Sequence, residues 1–376
     1  MISTAIEVGP IRPPSEAESL LLRITRNCSW NKCKFCNLYT GHKFSARGVE
    51  EIKADIDQVA RLRKEILSWK DSGINIGEKL YSLPGDVAQG YMYVINWMSH
   101  GEESVFLQDA NTVVLSFDKL REIFVYLREK LPTVKRVTSY GRVDSLDKFS
   151  LEQLSQLREA GLDRIHSGYE SGSDKVLEPI NKGYTKAQEI QAGQKVKASG
   201  IELSVYFMPG VGGAELSEEN ALETADVINR INPDFVRIRT FVSKAGTGLM
   251  EDIKSGRFKE CTDMEKALEL KKMIENISSA DGYLYSDHIV NLFENINGNM
   301  KADKEKMLAE FAAFEKLDPQ SQRRFQIGRR MGMIRFPAHL ELVGREDIET
   351  IDNQLSKLDT EEKYEDFLLR CLRRYI

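Results

Sequence analysis

The chain has 376 residues, with 53 Lys and Arg against 58 Asp and Glu for a net charge of −5, and 41% hydrophobic with 30% charged residues. This is the composition of a globule with enough apolar material for a sizeable core, long enough for two domains or one large α/β barrel with extensions. No apolar run approaches the ~18–20 residues that span a bilayer, the opening MISTAIEVGPIRPPSEAES lacks the pattern of a secretion signal, and the acidic balance marks no general nucleic-acid binder.

The first apolar stretch, LLLRITR (20–26), reads as a buried strand. NCSWNKCKFCN (27–37) follows it and places Cys28, Cys33 and Cys36 in a C-x4-C-x2-C arrangement. Five cysteines, three of them crowded into one short loop, argue against a disulfide framework and for a metal site in a reducing cytoplasm. Three thiolates can hold one corner of a [4Fe–4S] cluster, which normally takes four Cys, and leave one iron open. A Cys3His zinc site using His42 is the alternative, although zinc modules are usually small and autonomous. Cys261 and Cys371 stand apart in the sequence, without the spacing of a second cluster.

A helix is expected from Val49 to about Trp69, followed by an insertion, so that 48–103 separates the first strand from the next. SVFLQDA (104–110) then opens a regular alternation. A helical face of Phe117, Leu120, Ile123, Phe124, Leu127 and Leu131 leads to RVTSYGR (136–142). Ser150 and Gln153 form a capping box before Leu151, Leu154 and Leu157. RIHSGYES (164–171), a helix from Thr185 to Ser199 with a stop at Gly200, and IELSVYFMPG (201–210) continue the series. A helix with Leu222, Ala225, Ile228 and Ile231 and the strand FVRIRTF (235–241) close it. Six strands with return helices imply a parallel sheet with right-handed crossovers, and ligands bind at the C-terminal ends of such strands. Gln108, Asp109, Arg142, Glu170, Ser171, Met208 and Gly210 all fall at those ends, on the rim that carries the cysteine loop. The expected class is α/β, a partial (β/α)6 TIM-type barrel over 20–250, with an N-terminal extension (1–19) and a mainly helical C-terminal region (251–376).

Arg237 and Arg239 alternate with Val236 and Ile238, so the two sets face opposite sides of a strand. With the aliphatic pair against the helices, both arginines enter the lumen, where they can hold a carboxylate or phosphate or close an internal salt bridge. In YSDHIVNLFENINGNM (285–300), a short helical turn would put Asp287, His288 and Asn291 on one face. His288 is then a candidate proton donor or substrate contact, or a packed histidine. His166 reads as structural or near a cofactor. The run RRFQIGRRMGMIRF (323–336) offers five arginines to a phosphate-bearing partner or, more plainly, forms a solvated helix face.

Taken together these segments resemble the radical S-adenosylmethionine (SAM) superfamily, over about residues 18–250. Phe35 fills the aromatic position before the last cysteine, and the first spacing is one residue longer than the family's usual C-x3-C-x2-C. GYESGSDKVLEPINKGYT (168–185) is similar to the fourth-strand segment of the branch related to anaerobic coproporphyrinogen dehydrogenases and Elongator-type proteins. In that branch the positions of Glu170 and Ser171 line the SAM ribose. FLQDANTVVL (106–115) takes the place of a Gly-Gly-Glu segment, with Gln108 and Asp109 where the methionyl amino group is met. YFMPGVGG (206–213), with Met208 and Gly210, resembles the Gly motif under the adenine, RTFVSKAGTGL (239–249) the segment after the sixth strand, and Arg142 a position that can meet the SAM carboxylate. The resemblance implies a [4Fe–4S] cluster and SAM as cofactors, with reductive cleavage of SAM to a 5′-deoxyadenosyl radical that abstracts hydrogen from substrate. It also implies an electron donor such as flavodoxin or ferredoxin. The expected substrate is a small or medium metabolite, an anionic one being compatible with the arginines. An RNA-modifying radical SAM enzyme is the first alternative, and a zinc-stabilised RNA-binding protein or a non-catalytic cofactor-binding chaperone lies in a different class. Nucleic acid is not the expected partner, and the expected location is the cytoplasm.

Overall fold

The structure is a computed structural model, described over residues 6–375. The chain divides into two compact units, the first formed by residues up to Ser29 with Tyr39–Ser167 and Lys195–Leu203, the second by Trp30–Leu38, Gly168–Gln194 and the chain from Ser204 onward.

The first unit begins with β1 (Leu20–Arg23), then a small antiparallel pair, β2 (Thr25–Arg26) and β3 (Ser45–Ala46). Three helices fill the long interval: α1 (Val49–Asp71), α2 (Ile76–Tyr81) and α3 (Gly85–Ser99). The series β4 (Ser104–Gln108), α4 (Phe117–Lys130), β5 (Arg136–Tyr140), α5 (Val143–Leu146), α6 (Leu151–Ala160) and β6 (Leu162–Glu170) follows. β1, β4, β5 and β6 are parallel neighbours in that order. α1 forms because apolar residues recur every three to four positions. Ile52, Ile56, Val59, Leu62 and Ile66 are all buried, each contributing at most about 1.5–3 kcal/mol by leaving water. α6 is closed at its start by the Ser150–Gln153 box and at its end by Gly161 at φ 118°. Leu151 at its first position is exposed, so the buried stripe is Leu154 and Leu157.

In the second unit β6 ends, followed by α7 (Asp174–Leu177), the greater part of α8 (Lys186–Ala198) and of β7 (Glu202–Phe207), α9 (Ser217–Ile231) and β8 (Phe235–Ile238). α10 (Gly248–Lys254), α11 (Asp263–Asn276), β9 (Tyr283–Tyr285), β10 (Asn297–Asn299), α12 (Lys304–Glu315), α13 (Pro319–Arg330), α14 (Arg345–Leu355) and α15 (Glu361–Leu372) complete the chain. β6, β7, β8 and β9 lie side by side, with β7, β8 and β9 parallel, and β10 closes the edge antiparallel. The six expected strands are present as β1 and β4–β8 in an α/β succession of the partial (β/α)6 class.

Three features differ from expectation. The C-terminal region adds two strands, β9 and β10, to its helices. Leu222 of α9 is exposed, the buried stripe running through Ala221, Ala225, Val227, Ile228 and Ile231. The arginines of 323–336 are spent on internal pairs rather than left to solvent. Arg330 is fully buried against Asp263, and Arg329 donates to the carbonyls of Ile289 and Asn291, each at 3.0 Å. Arg324 meets Asp352 bidentately at 2.7 and 2.6 Å, Arg323 pairs with Glu361, and Arg335 pairs with Glu294. Burial of α13 against Phe293 and Phe314 through Phe325 leaves the guanidinium groups of Arg329 and Arg330 without water, so their acceptors come from within the chain.

Candidate active site

The cysteine loop is held from several sides. Within the second unit, Lys34 donates its backbone N–H to Ile180 (2.9 Å) and accepts from Leu249 (2.9 Å), while its ammonium meets Asp252 at 2.9 Å. Asn181 Nδ2 donates to Lys32 O (3.0 Å), Trp30 Nε1 donates to Asn181 O (2.8 Å) and Asn37 Nδ2 donates to Ala245 O (2.9 Å). Gly183, at φ 87°, passes so close beneath Trp30 that a Cβ would stand 2.3 Å from the indole ring. Cys33 and Cys36 form one turn, Cys36 N–H donating to Cys33 O at 3.2 Å. Cys28 lies in the first unit, after Asn27 at φ 68°. None of the three is in a disulfide; Cys28 and Cys33 are half-buried and Cys36 is exposed, whereas Cys261 and Cys371 are buried. Among the described residues no three His, Cys, Asp or Glu side chains are drawn into a metal-binding group, so the thiolate assignment rests on residue type, spacing and accessibility. Three accessible thiols on one anchored loop are the soft donor set that an iron–sulfur cluster takes.

Glu170 closes β6 in the left-handed region, at φ 69°, a conformation that a non-glycine residue keeps only where its surroundings enforce it. Its carboxylate bonds Lys182 Nζ at 2.8 Å, and both side chains are buried. Lys182 also stands 5.5 Å from the Phe35 ring and 5.7 Å from Tyr184. A Cβ on Gly168 would meet the Glu170 carboxylate at 2.4 Å, so glycine there gives the carboxylate its room. Ser171 is buried, its Oγ accepting from Ser173 N–H at 3.0 Å. Met208 donates its N–H to Glu170 O at 2.8 Å, and its side chain packs with Phe35 against Val176, Ile180, Val211, Phe241 and Leu249. Gly210, at φ 85°, donates its N–H to Glu269 Oε1 at 2.9 Å, and a Cβ there would stand 2.7 Å from Lys266. Burial pushes the Glu269 carboxyl up to about 7, opposed by hydrogen bonds from Ser217, Gly210 and Asn220.

A cavity of ≈ 250 Å³ opens beside this loop, lined by Phe35, Cys36, Met208, Arg239, Phe241 and His288 among others. Val236 and Ile238 are fully buried, while Arg237 and Arg239 point to the opposite face, 3.8 and 3.7 Å from Asp287. Tyr206, Arg237 and Tyr285 are register partners on β7, β8 and β9, the Arg237 guanidinium 5.2 Å from the Tyr285 ring and that of Arg239 5.4 Å from the Tyr206 ring. Asp287 to Asn291 form turns, not the expected helix. Asn291 spends its side chain on Thr240 N (3.0 Å), Thr240 Oγ1 (2.8 Å) and Ile238 O (3.0 Å), and Val290 N–H donates to His288 Nδ1 at 3.3 Å. Such local bonds compete with a helix. Burial, reinforced by the charge of Arg239, pushes His288 down to about 4, so the imidazole is neutral near pH 7. With Nδ1 accepting, its proton sits on Nε2, and the residue can donate a hydrogen bond but not act as an imidazolium acid.

The remaining rim positions lie in the first unit. Gln108 is buried with its amide committed to the N-terminal segment, accepting from Gly9 N–H at 2.8 Å and donating to Ile11 O at 2.6 Å. Asp109 is fully buried. It takes Arg23 Nη2 at 2.9 Å, Asn27 N–H at 3.0 Å and the Tyr39 hydroxyl, whose pKa burial and this carboxylate both raise. Arg142 Nε meets Asp144 at 2.9 Å, and its backbone N–H donates to Asn111 Oδ1 at 3.0 Å. His166 is fully buried 3.4 Å from Glu16. Burial raises the Glu16 pKa, and the hydrogen bonds from His166 and Ser19 with the charge of Arg136 bring it below the ordinary value. Lys182, Glu269 and Tyr39 were not read as site residues. Lys182 lies inside the quoted GYESGSDKVLEPINKGYT segment and was the one within reach of sequence reasoning.

The model of the radical SAM superfamily matches residues 95–225. The tRNA uridine(34) acetyltransferase of Methanocaldococcus infernus is 25% identical over 234 residues, covering 60% of this chain and 43% of that protein. The tRNA-2-methylthio-N(6)-dimethylallyladenosine synthase of Thermoanaerobacter sp. (strain X514) is 24% identical over 280 residues, 72% of this chain and 51% of that one. The chain thus spans about half the length of these curated relatives. Among solved structures, methylornithine synthase aligns at a TM-score of 0.44 with 16% identity, covering 87% of each chain. Coproporphyrinogen III oxidase of Escherichia coli, a radical SAM enzyme, aligns at 0.43 with 12% identity, covering 68% of this chain and 51% of that one. The expectation that nucleic acid is no partner finds no support in relatives named for tRNA. Among the described residues no helix is long and apolar enough to cross a membrane. The superfamily match over residues 95–225, the strand–helix succession it covers and the three-thiol loop are the features of a radical SAM domain, the kind of domain that takes a [4Fe–4S] cluster and S-adenosylmethionine.

Proposed function

We propose that the substrate of this radical SAM enzyme is a nucleoside of an RNA. The observation that carries this reading is that relatives covering 60 and 72% of the chain are named as tRNA-modifying enzymes. Arg239, on the wall of the cavity beside Cys36, supports it, since a guanidinium is what an RNA phosphate meets. The small-metabolite reading keeps one observation in its favour, the modest ≈ 250 Å³ of the cavity beside Arg239.

In this reading Cys28, Cys33 and Cys36 would hold the cluster, and Phe35, packed with Met208 on one apolar cluster, would keep the loop in place. Bound there, a cluster with one open iron and SAM supply a 5′-deoxyadenosyl radical that removes hydrogen from substrate. Glu170 and Ser171, fixed by Lys182 and Ser173, offer acceptors to the ribose, while Met208 and Gly210 shape the adenine side. Arg142 is the polar group for the methionyl end, while Asp109, committed to Arg23, Asn27 and Tyr39, and Gln108, tying down residues 9–11, fix the end of β4. Arg237 and Arg239 orient an anionic group of the substrate, with Asp287 holding both guanidinium groups in place. His288 donates from Nε2 without changing charge. The apolar walls of Phe241 and Val242 exclude water from the reacting atoms. We place the enzyme in the cytoplasm, where thiols stay reduced.

The test is anaerobic reconstitution, reduction with dithionite and addition of SAM with bulk tRNA, following 5′-deoxyadenosine and modified nucleosides by mass spectrometry. The expected result is 5′-deoxyadenosine formation that rises with tRNA and falls when the tRNA is digested. Stimulation by a cell extract that survives ribonuclease would move the substrate to a small metabolite.

A further inference from the structure

Each reductive cleavage of SAM consumes one electron, and the protein that delivers it has to reach the thiol loop. Beside that loop, in the second unit, lies a depression of ≈ 220 Å³. Its floor is apolar: Val176, Ile180, Val211, Leu216, Leu249 and Phe258 line it. The same six side chains belong to the packed cluster that holds Phe35 of the thiol loop. Ile180 and Leu249 are also the two residues whose backbones bond Lys34, so the floor is tied directly to the loop.

The rim carries Lys175, Arg257 and Lys259 against a single Glu215. The side chains of Lys175 and Arg257 are 69% and 67% exposed. Lys175 pairs with Glu219 at 3.1 Å, while Asp252 answers two cations at once, Lys34 at 2.9 Å and Arg257 at 2.7 Å. Among the described residues no carboxylate lies within ion-pair distance of Lys259 or of Lys32, whose ammonium stands 5.0 Å over the Trp30 ring. Lys32, Lys34, Lys175, Arg257 and Lys259 thus stand against Glu215, Glu219 and Asp252, five cations to three carboxylates, on a chain whose net charge is −5.

We propose that this basic-rimmed depression docks an acidic one-electron carrier protein, an apolar residue of which seats on the floor against the cluster that contains Phe35. The overall negative charge of the chain repels an acidic partner, so a local basic field is needed to steer it to one face. The floor is aliphatic apart from Phe258 and offers no row of aromatic faces, which disfavours a single RNA strand as occupant. In the transfer the carrier loses one electron (flavin hydroquinone to semiquinone in a flavodoxin). The [4Fe–4S] cluster gains it, passing from the 2+ to the 1+ state with no proton crossing the interface. The proposal rests on the radical SAM chemistry and not on the identity of the substrate.

The test compares the wild-type chain with a Lys175→Glu, Arg257→Glu, Lys259→Glu variant, both reconstituted. The affinity for an acidic flavodoxin is measured calorimetrically at low ionic strength, and 5′-deoxyadenosine formation is driven either by reduced flavodoxin or by dithionite. The expected result is a Kd raised at least tenfold and a flavodoxin-driven rate lowered by a similar factor, with the dithionite-driven rate unchanged. The wild-type Kd should also rise with salt as screening shortens the field. The milder Lys175→Gln, Lys259→Gln variant, which leaves the Arg257–Asp252 pair intact, should shift Kd in the same direction. An unaltered Kd overturns the proposal, as does an equal loss of rate with both reductants, or loss of tRNA binding with flavodoxin affinity retained. Wild-type protein that cleaves no SAM with dithionite overturns the chemistry and the docking role with it, whereas normal dithionite cleavage with unaltered flavodoxin affinity overturns the docking alone.

Discussion

Glu269 offers a quantitative check on the packing beneath Gly210. Its carboxyl is almost fully buried and accepts from Gly210 N–H at 2.9 Å, Asn220 Nδ2 at 2.6 Å and Ser217 Oγ at 2.6 Å, the first two on Oε1 and the third on Oε2. Burial raises its pKa from 4.5 to about 7. A carboxyl whose folded-state pKa lies above its unfolded value adds stability that is complete below about pH 4.5 and is lost as the pH rises through 7. That difference of pKa corresponds to about 3 kcal/mol. Glu269→Gln preserves the geometry: the amide oxygen keeps the bonds from Gly210 and Asn220, and the amide nitrogen donates to the Ser217 hydroxyl, which can accept. The variant should match wild type near pH 5 and exceed it by up to about 3 kcal/mol at pH 8, read from urea midpoints and slopes at fixed ionic strength. Glu365, raised to about 7 mainly by burial, gives both proteins a similar slope of its own, which cancels in the difference. A difference between the two proteins that is the same at pH 5 and pH 8 would refute the reasoning.

Three further outcomes follow from the geometry. Cys28→Ala, Cys33→Ala and Cys36→Ala should each abolish the iron–sulfur absorption and SAM cleavage, whereas Cys261→Ala, at a buried position, should leave both intact; retained iron and sulfide in any of the first three would exclude that residue as a ligand. Gly183→Ala places a Cβ into the Trp30 ring at a positive φ, so it should lower iron content per chain and shift Trp30 fluorescence, with a backbone cost alone of about 1–2 kcal/mol. Asp263→Ala leaves the buried Arg330 guanidinium without its carboxylate and should cost about 3–5 kcal/mol in urea unfolding.

How much of this was legible in the sequence depends on the distance over which a residue's role is decided. β1 and β4–β8, together with the helices that return between them, were readable because their signals are local. The apolar period of α1, the Ser150–Gln153 box and the stop at Gly200 each act within a few residues. The three cysteines were readable for the same reason, as were the opposed faces of Val236–Ile238 and Arg237–Arg239. β9 and β10 were not, because a three-residue strand carries no period and exists only through its neighbours, here the register Phe235↔Tyr283. The arginines of 323–336 show the converse. A run of five invites an external anion or solvent, yet Asp263, Asp352, Glu361 and Glu294, each at least 25 residues away in sequence, meet all five, Glu294 serving both Arg329 and Arg335, and carbonyls of Ile289 and Asn291 add to the hold on Arg329. Charge in a sequence thus indicates need of a partner, and only the fold decides whether that partner comes from within. By that criterion Lys175, Arg257 and Lys259 differ from Arg330: they stand exposed around an apolar floor, Lys175 and Arg257 in solvent-exposed pairs with Glu219 and Asp252, and among the described residues Lys259 has no carboxylate within ion-pair distance. An acidic surface brought by another protein meets that need, and its screening by salt separates it from the buried Arg330–Asp263 pair, which salt hardly reaches.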